Sequence, residues 1–120
     1  MKAMLLAVAA AVAMTSSPPA PKVLTDADLV AFASTPFKPG NTIPSSYVLG
    51  VHHGAKVMVE FRCGDICPQY TSRHIHYDVE PGPACDKVGG RARTESFVQG
   101  IGVTRKDFCV PAILVDRKLQ

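Results

Sequence analysis

Apolar and polar residues alternate most clearly in the middle of the chain. Val57, Val59, Phe61 and Cys63 interleave with Lys56, Met58, Glu60 and Arg62, which predicts a strand with one buried face. Beyond Cys67-Pro68 the alternation resumes, with Ile75, Tyr77 and Val79 on one face and Ser72, His74, His76 and Asp78 on the other. The short connection Gly64 to Tyr70 suits an antiparallel hairpin. In the register that sets Arg62 opposite Ser72, Glu60 meets His74 and Lys56 meets Asp78. The polar set is then expected to form the solvent face of the hairpin.

The flanking segments carry weaker signals. Thr25-Asp26-Ala27-Asp28 has the form of an N-cap with an acidic first turn, and Leu29, Val30, Phe32 and Ala33 follow at helical spacing, predicting a short helix over 26–33. Pro44 to Val51 fits either a second short helix or an extended segment. Glu80-Pro81-Gly82-Pro83 is turn chemistry, and Gly89-Gly90 with Arg91 and Arg93 predicts an exposed basic loop. Phe97, Ile101 and Val103 share one parity along Thr94 to Thr104, predicting a third strand, and Val110 to Asp116 a last one. The expected class is α+β: a small, mainly antiparallel sheet of about four strands with one or two short helices.

The N-terminus changes where this domain is expected to work. Met1-Lys2 followed by the apolar run Ala3 to Met14 has the organisation of a secretory signal peptide. The run is shorter than the about 20 apolar residues of a spanning helix, and it ends in Thr15-Ser16-Ser17-Pro18-Pro19. Small residues at Ala11 and Ala13 fit cleavage after Ala13, with Ala13 and Thr15 as the second choice. The expected organisation is a signal peptide over 1–13, a flexible linker over 14–22 and a single domain over 23–120, periplasmic or secreted. The formal charge of +3 falls by one with Lys2, too mild a balance to suggest nucleic acid. No membrane span is expected in the mature chain, and the partner is not specified.

Export makes disulfides the default state of Cys63, Cys67, Cys85 and Cys109. Four cysteines allow three pairings. Cys63 with Cys67 across a turn at Gly64-Asp65, and Cys85 with Cys109, is the favoured one. The second bridge closes a loop of about 25 residues, worth roughly 3.5 kcal/mol in the chain-entropy model.

The segment Cys63-Gly64-Asp65-Ile66-Cys67-Pro68-Gln69-Tyr70-Thr71 resembles the signature of a bacterial family of small exported domains of unknown function, in which Cys-Gly-x-x-Cys-Pro-x-Tyr leads into a strand. The resemblance covers about residues 56–79 and implies a stapled hairpin loop without naming a reaction. Cys63-x3-Cys67-Pro68 is also similar to the metal-binding segment of thioredoxin-fold copper chaperones. That fold places a helix directly after the motif, whereas Gln69 to Val79 alternates like a strand.

A metal site on the histidines alone is the third reading. His74 and His76 share a strand face and suit copper or zinc, with His52, His53, Glu60 or Asp78 as further ligands. His52 and His53 are adjacent, so an extended segment would admit only one of them. No enzyme motif is present: Gly-x-Ser-x-Gly, His-Glu-x-x-His and the phosphate loop are all missing. The expected function is therefore non-catalytic binding or an accessory role in the cell envelope, without a cofactor. The alternative is a periplasmic copper, zinc or thiol-redox protein using Cys63/Cys67 or His74/His76. Lys87, Arg91 and Arg93 would suit an anionic partner such as an envelope glycan or a lipid head group.

Overall fold

The computed structural model describes residues 20–38, 45–63, 70–99 and 102–119. The expected signal peptide 1–13, most of the linker, Cys67 and the loop around it lie outside the described residues.

Helix α1 (Asp26–Ser34) starts where its capping residues dictate. The Thr25 hydroxyl accepts from the Asp28 amide at 3.1 Å, and the Asp28 carboxylate accepts from the Thr25 amide at 2.9 Å. The Asp28 carboxyl is held below its usual range, chiefly by that backbone hydrogen bond. At the other end, Arg73 donates to the Thr35 carbonyl at 2.9 Å and lies over the Phe32 ring, supplying a cation where the helix dipole is negative.

Strands β1 (Ser46–His52), β2 (Ala55–Cys63) and β3 (Tyr70–Tyr77) form one antiparallel sheet in that order. The segment with two readings, Pro44 to Val51, is thus mostly strand. His53 at φ 52° and Gly54 at φ 80° make the tight β1–β2 turn, whose two left-handed residues match the natural twist of the strands. Between β2 and β3 the expected register holds: Glu60 pairs with His74 and Arg62 with Ser72. Val57 and Val59 are fully buried, and Ile75 and Tyr77 nearly so, on the face that alternation assigned to the core. Leu29 of α1 packs into the same cluster. The N-terminal segment crosses β1 closely, with the Leu24 amide donating to Val51 and the Val51 amide to Lys22.

The second half departs from expectation in three places. Gly90 to Pro111 is not a basic loop plus one strand but a second sheet, the hairpin of β4 (Gly90–Gln99) and β5 (Gly102–Pro111). The shared parity of Phe97, Ile101 and Val103 in sequence reads as one strand, whereas the register pairs Phe97 with Thr104 and Val103 with Val98. Val110 to Asp116 is not a strand, since Ala112–Asp116 forms the short helix α3 behind Pro111. A further short helix, α2 (Pro83–Lys87), begins at Pro83, a residue suited to a first helical turn. The class is α+β; the described residues form five strands in two small antiparallel sheets and three short helices.

The Cys85–Cys109 disulfide ties α2 to β5 in the core, with both cysteines 1% exposed. Gly90 lies against it. A methyl group there would stand 2.8 Å from the Cys85 sulfur and 3.2 Å from the Tyr77 ring, so only glycine lets β4 start at this depth.

Candidate functional site

The β4–β5 hairpin folds over the polar face of β2–β3. The histidines expected in solvent are therefore part of an ionic layer between two sheets. Glu95 of β4 is 8% exposed and meets the Arg62 guanidinium at 3.1 Å and His74 Nδ1 at 3.2 Å. The Ser72 hydroxyl is hydrogen-bonded with His74 Nε2 at 3.1 Å. His76 Nε2 lies 2.6 Å from Glu60, and Phe108 of β5 covers both His76 and Arg62, its ring centroid 4.9 Å and 4.8 Å away respectively.

Both ring nitrogens of His76 face acceptors: Nδ1 the Tyr77 carbonyl at 3.0 Å, Nε2 the Glu60 carboxylate. Only the doubly protonated ring donates to both. Burial pulls the His76 pKa down, but the Glu60 hydrogen bond, the backbone contact and the charges of Glu60 and Glu95 outweigh it, and the net shift is upward. Glu60 is lowered chiefly by its His76 hydrogen bond. Burial pushes Glu95 up, and the His74 hydrogen bond with the charges of His74 and Arg62 brings it below its ordinary value.

These shifts set a pH window. Glu60 and Glu95 contribute stability above the carboxylate value of 4.5 and lose it as pH falls through their lowered folded values. His76 contributes below 6.5 and loses it as pH rises through its raised folded value. The urea midpoint is accordingly expected to peak between 4.5 and 6.5 and to fall on both sides. His76→Gln should flatten the alkaline limb and shrink the acid limb toward the share of Glu95, because the Glu60 shift is chiefly the work of His76. A midpoint that stays level from that window to about two pH units above it refutes the assignment.

Beside this layer the two sheets leave an open cleft of about 320 Å³, lined by Glu60, His76, Asp78, Glu80, Lys106, Asp107 and Phe108, among others. Four of these side chains are carboxylates, against Lys106 and the His76 ring. Asp78 and Glu80 are exposed, with no ion pair among the described residues. Lys106 leans over the Phe108 ring, 5.4 Å from its centroid, and Asp107 accepts from the Thr94 hydroxyl.

A second polar group sits at the β1–β2 turn. Tyr77, 1% exposed, has its hydroxyl 2.6 Å from His52 Nδ1, and His52 Nε2 lies 2.7 Å from Asp26 Oδ1 at the start of α1. Burial pushes the Tyr77 hydroxyl up to about 12, helped by the Asp26 charge, so it keeps its proton and donates it to Nδ1. His52 then donates from Nε2 to Asp26. The order hydroxyl, imidazole, carboxylate is that of a hydrolase triad, but this hydroxyl belongs to a core side chain 1% exposed, out of reach of a substrate. His53 stacks on His52 with ring centroids 3.8 Å apart, and its Nδ1 donates to the Val88 carbonyl at 2.9 Å.

Comparison with protein-family models, curated proteins and solved structures finds no match.

The arrangement of this chain's own side chains therefore carries the functional reading. His74 and His76 do share a strand face, but each is turned to a carboxylate, Glu95 and Glu60 respectively. His52 and His53 meet Asp26 instead of joining them. Cys85 and Cys109 are bonded to each other, and no described cysteine is free. The Cys63–Cys67 pairing involves Cys67, outside the described residues. Arg91, expected in a loop, lies on β4 and pairs with Asp116 at 2.9 Å. No helix among the described residues is long and apolar enough to cross a membrane. Sequence reasoning took Asp26 for a helix-start residue, Tyr77 for plain core and Glu95 for a strand position. The one available signal was His53-Gly54, which stands where Asn-Gly marks a hairpin turn.

Proposed function

We propose that this chain is a small exported accessory domain that acts by binding, without catalysis, and that its ligand is a cationic group held in the cleft between the two sheets. The observation that carries this is the cleft lining, in which Asp78 and Glu80 offer two unneutralised carboxylates beside the aromatic wall of Phe108. A primary amine, free or on a basic side chain, is the chemistry such a pocket recognises. Export is supported by the signal-like pattern of residues 1–13 and by the disulfide in the core. The Cys-Gly-x-x-Cys-Pro-x-Tyr resemblance fits the same reading.

Titration of the protein with lysine amide, followed by amide NMR shifts, tests it. Saturable shifts at Asp78 to Glu80 and Lys106 to Phe108 are expected, reduced by Asp78→Asn/Glu80→Gln and absent with the Nε-acetylated compound. Equal shifts from the acetylated compound, or none from either, refute it. The rival reading, a periplasmic metal or thiol-redox protein, rests in the sequence on Cys63/Cys67 or His74/His76; its metal-binding half draws support from a different place, the β1–β2 turn.

A further inference from the structure

Among the described residues, one group of His, Cys, Asp or Glu brings three ligand atoms together: Asp26, His52 and His53, all within 4.8 Å of one another. We propose that it is a binding site for a divalent transition cation, zinc above all, and that the paired histidines of the β1–β2 turn exist to form it.

Three features of the group go beyond proximity. The first is the direction of the lone pairs. His53 Nδ1–H is committed to the Val88 carbonyl at 2.9 Å, which leaves Nε2 as the nitrogen that faces Asp26 Oδ1, at 3.9 Å. A ligating histidine normally donates its other nitrogen in this manner, to a carbonyl or similar acceptor that fixes the tautomer. His52 has the same option. When the cation takes Nε2, the ring proton moves from Nε2 to Nδ1, and the Tyr77 hydroxyl turns its own proton away from the ring to accept from it.

The second feature is a proton position that a cation can take over. Nε2 of His52 approaches a carboxylate oxygen at 2.7 Å, a contact that needs a positive centre between the two atoms. The proton fills that place in the free protein, and a metal ion takes it once the two atoms move apart. Zinc binds nitrogen and carboxylate oxygen at about 2.0–2.2 Å, so the group must rearrange by roughly 1 Å. Asp26 and His53 have the freedom for it, with side chains 61% and 53% exposed. Two imidazoles and one carboxylate suit zinc or copper(II) and leave a position for an exchangeable ligand.

The third is the placement of His53 at φ 52°, a backbone region that disfavours most side chains and where a hairpin turn favours asparagine or glycine. Histidine, like asparagine, is one of the few residues other than glycine enriched in that region, so the turn accepts a ring in this position. The same turn geometry resolves the objection that adjacent histidines on an extended segment diverge. His52 ends the strand, His53 bends back, and the two rings stack.

None of the three ligands lines the amine cleft, and only Tyr77, the partner of His52 Nδ1, borders both, so either proposal can fail alone. Zinc chloride is titrated calorimetrically into the disulfide-intact protein, and the His52 tautomer is followed by long-range nitrogen–proton NMR. Equimolar binding at micromolar or tighter Kd is expected, with the His52 proton moving from Nε2 to Nδ1. His53→Asn keeps a residue suited to the turn and should fold at least as stably as the parent. It should nonetheless weaken zinc binding by at least about tenfold, as should Asp26→Asn. His74→Gln/His76→Gln should leave it unchanged. Binding weaker than millimolar, binding that survives both His53→Asn and Asp26→Asn, or binding lost only in the His74/His76 variant overturns the proposal. In each of those outcomes any bound zinc is adventitious to the turn.

Discussion

Glu95→Ala is expected to lower the unfolding free energy by about 3 kcal/mol, read as a fall in the urea midpoint at neutral pH. The reason is burial. Glu95 and Arg62 have side chains only 7% and 10% exposed, and Glu95 is also the partner of His74, so truncation strands charge between two sheets. Glu60, 3.7 Å from the Arg62 guanidinium, compensates in part. Replacing both partners separates cause from consequence: Arg62→Met/Glu95→Leu should recover most of the loss, because an apolar pair of similar volume suits the Phe108 side of the layer. A Glu95→Ala cost under about 0.5 kcal/mol means that the hairpin is not held down by this layer.

Of comparable size is the effect of removing the core disulfide. Cys85 and Cys109 are 24 residues apart, and closing that loop is worth roughly 3.5 kcal/mol through the entropy of the unfolded chain. A domain of this size has on the order of 5–15 kcal/mol in total. Cys85→Ser/Cys109→Ser should therefore lower Tm by well over ten degrees, and more if the buried hydroxyls lack partners. The loss should fall on the packing of α2, β4 and the Tyr77 ring, detected as early amide exchange in residues 83–92. Exchange that quickens evenly over the whole chain contradicts this placement.

The parts of the fold that were legible in sequence are those where local and long-range demands coincide. Strands β2 and β3 need one buried and one polar face, and their residues alternate accordingly, so even the register of Glu60 with His74 follows. Helix α1 announces itself through Thr25 and Asp28 because its cap is made by residues three apart. The β4–β5 hairpin does not, since Phe97, Ile101 and Val103 share one parity in sequence and read as a single strand, while the register sets Phe97 against Thr104. Residues 112–116 are rich enough in Ile, Leu and Val to read as a strand, yet helix α3 forms behind Pro111, because β-propensity expresses packing context more than backbone preference.

The candidate site was half legible for a related reason. Ser72, His74 and His76 alternate like a solvent face, and nothing in their own segment reveals that another hairpin covers them. Likewise Asp26 looks complete as a first-turn acid. Its contact with His52 is a product of packing, 26 residues distant in the chain.

The way residues 22–24 cross strand β1 bears on how the protein behaves when concentrated. A sheet's outer strand presents unpaired backbone groups that invite a second chain to add on, the first step of fibrous association. Here Lys22 and Leu24 take both hydrogen-bonding groups of Val51, and Gly50 has room for no side chain because the Lys22 carbonyl and the Leu24 side chain press against it. The register irregularity between Val48 and Gly50 disturbs the regular ladder of the same strand. The chain thus shields its own edge with the segment that joins its N-terminal region to the domain, and trimming that segment would uncover a template for aggregation.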